Sequence, residues 1–259
     1  MFKSGLTNLS QSHLNLLSIC PPKFQQVYLD CLGSIPDPLQ QENMEWGNRF
    51  HLVMQQRELK LPIEPLLASD VELDAAVKES IQTVPELIEP QQAVWREAEH
   101  CRTLGYGNFM LTVIYDLLVA QKDQGIILDW KTYRKPQKRS KLANNWQTRL
   151  YLYVLTETSE YTPEQIQMTY WFVKSGKPKN VAFNYSEALH RQTEQDLSTL
   201  LVELETWLQN YQQANIDFPH RPHCEQKCPY FKSLAKETSG SKDPQELLDA
   251  IAEIEEISI

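Results

Sequence analysis

Two carboxylates and a lysine lie on two neighbouring apolar segments of this sequence. Asp116 is in the segment 112–120, and Asp129 and Lys131 are in the segment that follows the next polar turn. Residues two apart on a strand point to the same side of a sheet, so Asp129 and Lys131 share a face. Carboxylates bind hard divalent cations, and a nearby lysine neutralises phosphate charge. These residues predict a site for a divalent cation and a phosphate.

The two apolar segments predict a β-hairpin that would position these side chains. The turn between them contains Asp123 and Gly125, which is typical of hairpin sequences. Because both segments are almost entirely apolar, we expect both strands to be central and covered on both faces. Pairing within the hairpin then brings Asp116 next to Asp129.

These residues and their surroundings resemble a known nuclease family. Asp116, a gap of twelve residues and then Asp129-Trp130-Lys131 resemble the split motif of the PD-(D/E)XK nuclease superfamily. Further matches resemble its RecB-like exonuclease branch, which is related to CRISPR-associated and AddB-type nuclease domains. They are Gly47-x-x-x-His51, Gln147-x-x-x-Tyr151, the segment 9–14 and Cys20-Pro21. Together they span about residues 9 to 230.

The resemblance implies an α/β fold with a restriction-endonuclease-like core, in which helices flank a central mixed β-sheet. It also implies metal-dependent hydrolysis of a DNA phosphodiester, with exonuclease action in DNA repair, recombination or CRISPR adaptation. On this interpretation Asp116, Asp129 and Lys131 are catalytic. We expect Mg²⁺ or Mn²⁺, and an imidazole ligand favours Mn²⁺. The expected metal ligands are His51, Asp116, Asp129 and the backbone carbonyl of Trp130.

A basic segment follows the Asp-Trp-Lys motif and predicts contact with DNA. The net charge is −9, but residues 131–149 contain seven basic residues and no acidic one, and residues 235–259 alone contribute −5. A local basic strip matters more for phosphate binding than the total charge. The alternative is a solvated loop and helix face. The predicted DNA-binding residues are Gln147, Tyr151, Arg134, Lys135, Lys138, Arg139 and Lys141.

One predicted helix and the first predicted strand carry further residues that are candidates for the site. Apolar residues at every fourth position from Leu142 to Val154 predict one helix that begins at Ser140 and carries Gln147 and Tyr151 on an adjoining face. On the first strand of the sheet, Glu97 and Glu99 share a face. Either glutamate assists the site, or both face water, as glutamates on edge strands commonly do.

Five cysteines argue against a disulfide framework. In some RecB-like relatives, one early and three late cysteines hold a 4Fe-4S cluster. Cys20 resembles the early position, and Cys224 and Cys228 resemble part of the late group. Their spacing is C-x3-C, and no cysteine follows. The alternatives are an iron–sulfur or zinc site on Cys20, Cys224 and Cys228, or ordinary buried thiols. The fourth ligand of such a site would be His223, His220, Cys31 or Cys101.

The domain organisation is predicted as a nuclease domain over residues 1–233, a flexible linker over 234–242 and an acidic amphipathic helix over 243–259. This helix either packs on the domain or docks on a protein partner. The sequence has neither a long apolar run nor a signal-peptide core, so we expect a cytoplasmic protein without a membrane segment.

The main alternative function is a non-catalytic DNA-binding or scaffolding subunit with the same fold. Loss of Asp129 or Lys131 would favour that alternative, and both residues are present.

Overall fold

The structure is a computed structural model that describes residues 8–33, 38–88, 94–133, 137–174 and 178–222, together with Cys224, Cys228 and Tyr230. The helices, in chain order, are α1 (Gln11–Ile19), α2 (Pro21–Tyr28), α3 (Pro38–Glu58), α4 (Glu64–Leu67), α5 (Val71–Thr83), α6 (Pro85–Ile88), α7 (Arg139–Asn144), α8 (Trp146–Glu157) and α9 (Glu187–Ala214). The strands are β1 (Asn8–Leu9), β2 (Trp95–Tyr106), β3 (Phe109–Ala120), β4 (Gly125–Lys131), β5 (Ile166–Phe172) and β6 (Lys179–Asn184).

The chain divides into two compact units. One is formed by Pro36–Glu194, and the other combines Met1–Ile35 with Gln195–Ile259. The predicted linker and acidic tail helix, residues 234–259, lie outside the described residues. Among the residues that are described, no helix is long and apolar enough to cross a membrane.

The unit 36–194 is built on a mixed sheet. Strands β2, β3 and β4 pair antiparallel in sequence order, β4 pairs parallel with β5, and β5 pairs antiparallel with β6. The predicted hairpin is confirmed, because β3 and β4 pair with Leu117 opposite Leu128 and Leu118 opposite Ile127. A Cβ on Gly125 would lie 3.0 Å from the Tyr161 ring, which explains the glycine at the start of β4.

Helices cover both faces of this sheet, which confirms the predicted architecture. On one face, α3 and α5 pack against apolar side chains of β3, β4 and β5. This core contains Trp46, Phe50, Val53 and Met54 of α3, Leu73, Ala76 and Val77 of α5, and Leu117, Val119, Ile126, Leu128, Trp130 and Trp171 of the strands. On the other face, α8 contacts the sheet through Gln147, Thr148 and Tyr151.

The side chains of β2 and β3 switch from one face of the sheet to the other at Glu99 and Asp116. The Tyr115 ring packs edge-on against Tyr151 of α8, whereas Leu117 belongs to the core beneath α3. Residues two apart normally share a face. The register stays constant from Ala98–Leu117 to His100–Tyr115, but Glu99 and Asp116 between these pairs are not paired as regular ladder partners, and Glu99 has a positive φ of 52°. The sheet is therefore distorted at Glu99 and Asp116.

The single helix predicted from Ser140 is instead two helices, α7 and α8. Asn145 between them has extended backbone angles, with φ −70° and ψ 139°. Its side chain accepts a hydrogen bond from the backbone N–H of Gln147 at 2.7 Å. Asparagine at this position satisfies an otherwise unpaired donor of the first helical turn. The apolar spacing continues across the break, which is why periodicity alone did not reveal it.

The second unit brings both ends of the chain together. Phe24 of α2 stacks on Phe218, which follows α9, with ring centroids 6.1 Å apart. Gln25 donates to Asp217 at 2.8 Å and accepts from the backbone N–H of Phe218 at 2.7 Å. The Tyr211 hydroxyl of α9 donates to Asp30 at 2.6 Å. These contacts join residues almost two hundred positions apart in the sequence.

Candidate active site

His51, Glu99 and Asp116 converge at the distortion of the sheet. Their potential ligand atoms all lie within 4.8 Å of one another. His51 Nδ1 lies 3.4 Å from Asp116 Oδ1 and 3.7 Å from Glu99 Oε1. Helix α3 supplies the imidazole, because Phe50 anchors the helix in the core and His51 follows it. The strands supply the two carboxylates at the point where their faces change.

The orientation of Asp116 is fixed by the next strand. Its Oδ2 accepts a hydrogen bond from the backbone N–H of Trp130 at 2.6 Å. Its other oxygen, Oδ1, is directed towards His51. A carboxylate held in this way offers one oxygen to a ligand while the hydrogen bond prevents the group from rotating. The predicted role of the Trp130 carbonyl as a ligand stays a prediction.

Asp129, Lys131 and Gln147 form a closed ring of polar contacts beside this group. Gln147 donates from Nε2 to Asp129 Oδ2 at 2.6 Å and accepts at Oε1 from Lys131 Nζ at 2.7 Å. Lys131 Nζ also lies 3.1 Å from Asp129 Oδ1. Asp129 Oδ1 is buried, and it receives no hydrogen bond from the described part of the chain. The lysine therefore pairs with Asp129 by charge at this oxygen.

Burial and charge shift the pKa values of two of these groups. Burial, opposed in part by the positive charge of Lys131, raises the pKa of Asp129 to about 7. Burial lowers the pKa of His51, but the carboxylates of Asp116 and Glu99 outweigh this effect and raise it well above 6.5. Protonated His51 then provides the positive charge that holds the two carboxylates together.

The arrangement suits a divalent cation. Two carboxylate oxygens and an imidazole nitrogen approach one point, and two negative groups brought so close repel each other unless a positive charge lies between them. Oxygen ligands favour Mg²⁺, and the imidazole extends the choice to Mn²⁺. The nearby Asp129 has a buried oxygen that a cation would also satisfy. The residues present fit the metal that the sequence predicted.

Gln147 and Tyr151, which were predicted to bind DNA, lie in the buried layer between α8 and the sheet. Gln147 is 9 % exposed and Tyr151 is 3 % exposed. Burial and the nearby charges of Asp129 and Asp116 raise the pKa of Tyr151 well above 10, so its phenol stays neutral. DNA contact by either residue stays a prediction.

Three of the described basic residues that follow Lys131 face solvent. Lys138, Arg139 and Lys141 are exposed. The Arg139 guanidinium lies over the Phe183 ring, 4.5 Å from its centroid, and Arg149 lies over Trp146 at the same distance. Aromatic support of this kind limits the motion of long basic side chains. Arg134 and Lys135 lie outside the described residues.

The cysteines predicted to bind a metal come close together in the second unit. Burial raises the pKa of the Cys20 thiol, and the neighbouring Cys228 and Cys224 raise it further. His220 Nδ1 lies 3.2 Å from Cys224 Sγ. Among the described residues, these groups do not meet within 4.8 Å as a set of three or more. His223 is outside the described residues, and Cys31 and Cys101 are exposed.

Sequence reasoning did not select Glu99 over Glu97. Alternation placed both glutamates on one face, whereas the structure directs Glu99 towards His51 and leaves Glu97 bound to His100 at 2.8 Å. The signal that separates them is the proximity of Glu99 to Asp116 across the hairpin, which requires the register of β2 and β3.

Comparisons with known proteins identify the family. The family model described as the PD-(D/E)XK nuclease superfamily matches residues 8–232. A crystal structure of a candidate exonuclease from Eubacterium rectale has a TM-score of 0.55 and 10% identity, over 96% of this chain and 94% of that chain. The crystal structure of SSO0001 has a TM-score of 0.33 and 11% identity, over 75% and 76% of the two chains. No curated protein matches the sequence. Because the family model covers most of its length, the chain belongs to the PD-(D/E)XK nuclease superfamily.

Proposed function

We propose that this protein is a divalent-metal-dependent deoxyribonuclease that hydrolyses DNA phosphodiester bonds. The observation that carries the proposal is the position of the His51–Glu99–Asp116 group beside the ring of Asp129, Gln147 and Lys131. A cation site next to a partly buried lysine suits phosphodiester hydrolysis, because both stabilise negative charge on the phosphate. Membership of a nuclease superfamily supports the same reaction.

The metal site is assigned to His51, Glu99 and Asp116, with Asp129 and the Trp130 carbonyl as further ligands. When bound, Mg²⁺ or Mn²⁺ supplies Lewis-acid polarisation of the phosphate. The protein orients Asp116 through its hydrogen bond from the Trp130 N–H. Glu99 adds a carboxylate to the set expected from the sequence.

Lys131 supplies a fixed positive charge next to the cation site. An ammonium held before the substrate arrives stabilises negative charge that develops on the phosphate without having to reorganise. Gln147 keeps this ammonium at a fixed position relative to Asp129, because its amide binds both groups at once. We therefore assign Gln147 a positioning role in place of the DNA contact expected from the sequence.

The substrate strand is assigned to the basic strip. Lys138, Arg139 and Lys141 are exposed and contribute positive charge in a chain that is acidic overall. Such residues neutralise phosphates without reading base sequence. The resemblance to the RecB-like branch, together with the fold shared with a candidate exonuclease, supports cleavage from an end. DNA repair, recombination and CRISPR adaptation are the pathways that this resemblance suggests.

A second proposal concerns the cysteines. Cys20, Cys224 and Cys228, with His220 as the fourth ligand, are assigned to an iron–sulfur or zinc site that joins the two ends of the chain. The proximity of Cys228 and Cys224 to Cys20, which helps to raise the pKa of its thiol, and the 3.2 Å contact of His220 with Cys224 support it.

The decisive experiment is cleavage of end-labelled single- and double-stranded DNA by the purified protein with Mg²⁺ or Mn²⁺. We expect Lys131→Ala to lower kcat by about 100-fold or more, since loss of a group that stabilises transition-state charge has an effect of this size. Its melting temperature and DNA affinity should stay close to those of the wild type.

Lys122→Ala is the matched control, because Lys122 is an exposed lysine in the β3–β4 turn. The control should cleave at the wild-type rate. Equal cleavage by Lys131→Ala and the wild type would contradict the proposed mechanism. DNA binding without cleavage by the wild type, at any concentration of either metal, would favour the non-catalytic alternative.

A further inference from the structure

A buried tyrosine lies against the ammonium group of Lys131. Tyr170 is in β5, next to β4, and its Cα pairs with that of Asp129. Its ring centroid is 5.2 Å from Lys131 Nζ, which is within the range of a cation–π interaction. Tyr170 is 0 % exposed, so its side chain has no surface with which to contact DNA.

The hydroxyl of Tyr170 fixes the orientation of its ring. Thr148 of α8 donates its hydroxyl proton to the carbonyl of Leu142 at 2.6 Å. A threonine hydroxyl has one proton, so in the 2.7 Å contact between Thr148 and Tyr170 the tyrosine is the donor. The ring is therefore tied by a directed chain of two hydrogen bonds to the end of α7. This chain prevents the ring from turning away from Lys131.

The Tyr170 ring offers Lys131 an aromatic face, whereas its other partners offer oxygen atoms. Asp129 and Gln147 both contact the ammonium through oxygen atoms. The negative face of an aromatic ring stabilises the same charge without forming a hydrogen bond to it. It also occupies a volume from which water is excluded. The ring therefore limits the positions that the ammonium can take beside Asp129.

We propose that Tyr170 is a positioning residue for Lys131, and that its ring keeps the ammonium directed towards Asp129 during phosphodiester cleavage. The inference rests on the nuclease function proposed above. It adds a residue from a different strand, buried beneath the site, to those that determine the cleavage rate. The alternative is that Tyr170 only fills the core, where its ring also packs edge-on against Phe183 with centroids 5.9 Å apart.

Two variants separate the ring from the hydroxyl. Tyr170→Leu removes the aromatic face, and Tyr170→Phe keeps it. A cation–π contact away from water corresponds to roughly a tenfold or greater change in rate. We expect Tyr170→Leu to lower kcat about tenfold with KM for DNA unchanged, and Tyr170→Phe to retain kcat within about threefold.

Phe24→Leu is the matched control for the cavity that the leucine creates. Phe24 is also fully buried, but it belongs to the other unit, and its ring contacts are with residues of that unit. Both leucine variants should lose stability, and we expect only Tyr170→Leu to lose kcat per folded molecule. A wild-type kcat in folded Tyr170→Leu would overturn the proposal. An equal loss in the leucine and phenylalanine variants would also overturn it, since the hydroxyl and not the ring would then matter.

A measurement without DNA tests the same contact independently of activity. Protons above an aromatic face are shifted upfield in NMR spectra, so the Lys131 ε-CH₂ signal should be upfield of the other lysines. It is assigned by its absence in Lys131→Ala. The shift should persist in Tyr170→Phe, and in Tyr170→Leu it should disappear. This spectrum decides the Lys131–Tyr170 contact even if Tyr170→Leu does not fold, because the wild type and the phenylalanine variant suffice.

The two readouts also distinguish the inference from the proposed function. A shifted Lys131 signal in a protein that cleaves no DNA would overturn the nuclease proposal and the catalytic part of this inference, while the contact itself would stand. Cleavage with an unshifted Lys131 signal would overturn the positioning role of Tyr170 and leave the nuclease proposal intact.

Discussion

At the scale of single residues, the site depends on side chains whose freedom has been removed. Asp116 is held by a backbone N–H, and Asp129 and Lys131 are held together by Gln147. The sequence predicts Asp116, Asp129 and Lys131 as site residues because acidic and basic residues are rare in buried strands, and the structure brings the three side chains close together. It did not predict the contacts of Gln147 with Asp129 and Lys131, because an amide that binds within the protein and one that binds DNA can have the same helical position.

Gln147→Glu tests this positioning role. The variant keeps an acceptor for Lys131, but it replaces the N–H that donates to Asp129 with a second carboxylate oxygen. The free energy of a hydrogen bond to a charged group, when it is lost from the transition state, corresponds to roughly a tenfold or greater fall in rate. We expect kcat at saturating metal to fall by about that factor or more, with KM for DNA unchanged.

A rise in KM at constant kcat would instead support the DNA contact expected from the sequence. Gln167→Glu is the control, because Gln167 also pairs with a glutamine amide, that of Gln124, at 3.2 Å. Its kinetics should match those of the wild type.

Asp129→Asn tests the burial of the second carboxylate through the pH dependence of stability. The pKa of Asp129 is about 7 in the folded protein and 3.8 in the reference state, so the folded protein binds the proton more tightly. Its contribution to stability is then fully present below pH 3.8 and is lost as the pH rises through about 7. Asparagine resembles the neutral acid at every pH.

In metal-free protein, we therefore expect Asp129→Asn and the wild type to have similar stability near pH 4, and the variant to be more stable near pH 8. The pKa shift of Asp129 corresponds to a difference of up to about 4 kcal/mol between the unfolding free energies of the variant and the wild type. Urea unfolding at several pH values measures it, with exposed Asp123→Asn as the control. A pH-independent difference would contradict the burial of an ionisable Asp129. Added Mn²⁺ should reverse the order at pH 8, because the cation stabilises the ionised acid.

At the scale of elements, the local patterns predicted the strands well and their distortion poorly. The hairpin of β3 and β4 and its register follow from two apolar segments around one turn. The change of face at Glu99 and Asp116 does not follow, because strict alternation describes a regular strand. The break at Asn145 was missed for a related reason, since the apolar spacing of α7 and α8 continues across it. Tertiary contacts determine both features.

The distortion at Glu99 can be tested by comparing two substitutions. Glu99→Gln removes the charge and keeps a side chain at a positive φ of 52°. Glu99→Gly removes the charge and also the strain of a left-handed conformation, which costs a residue with a Cβ about 1–2 kcal/mol. The flexibility of glycine in the unfolded chain offsets part of this gain.

We expect the glycine variant of metal-free protein to be more stable than the glutamine variant by roughly 1 kcal/mol. Both variants should bind Mn²⁺ more weakly than the wild type, which titration calorimetry measures. Greater stability of Glu99→Gln would indicate that the backbone is unstrained at this position. Unchanged Mn²⁺ affinity in both variants would remove Glu99 from the ligand set.

At the scale of the whole molecule, the sequence order hides which parts belong together. A single nuclease domain over residues 1–233 was expected, and the chain contains two compact units, one of which joins Met1–Ile35 to Gln195–Ile259. Contacts such as that of Gln25 with Asp217 have no local signal in the sequence. The cysteine pattern was the one indication that the two ends meet, and it came from the family resemblance.

We expect the proposed cysteine site to act on stability and not on chemistry. A link between Cys20 and Cys224 closes a loop of about two hundred residues. Covalent closure of so long a loop contributes up to about 5 kcal/mol by chain entropy, which sets the scale for a metal link. We expect Cys224→Ser to release stoichiometric iron or zinc and to lower the melting temperature markedly, while its folded fraction cleaves DNA at the wild-type rate. Asp129→Ala should show the reverse, with no cleavage and a melting temperature at least as high as that of the wild type.

Cys31→Ser is the control, because Cys31 is an exposed cysteine of the same unit. It should keep both the metal and the melting temperature. Elemental analysis and thermal melts of the three variants and the wild type show whether the cysteines bind a metal that stabilises the fold. If the wild type carries neither iron nor zinc and Cys224→Ser melts with it, the three thiols are ordinary buried side chains. The ends of the chain are then held by contacts such as the Phe24–Phe218 stack and the hydrogen bonds of Gln25.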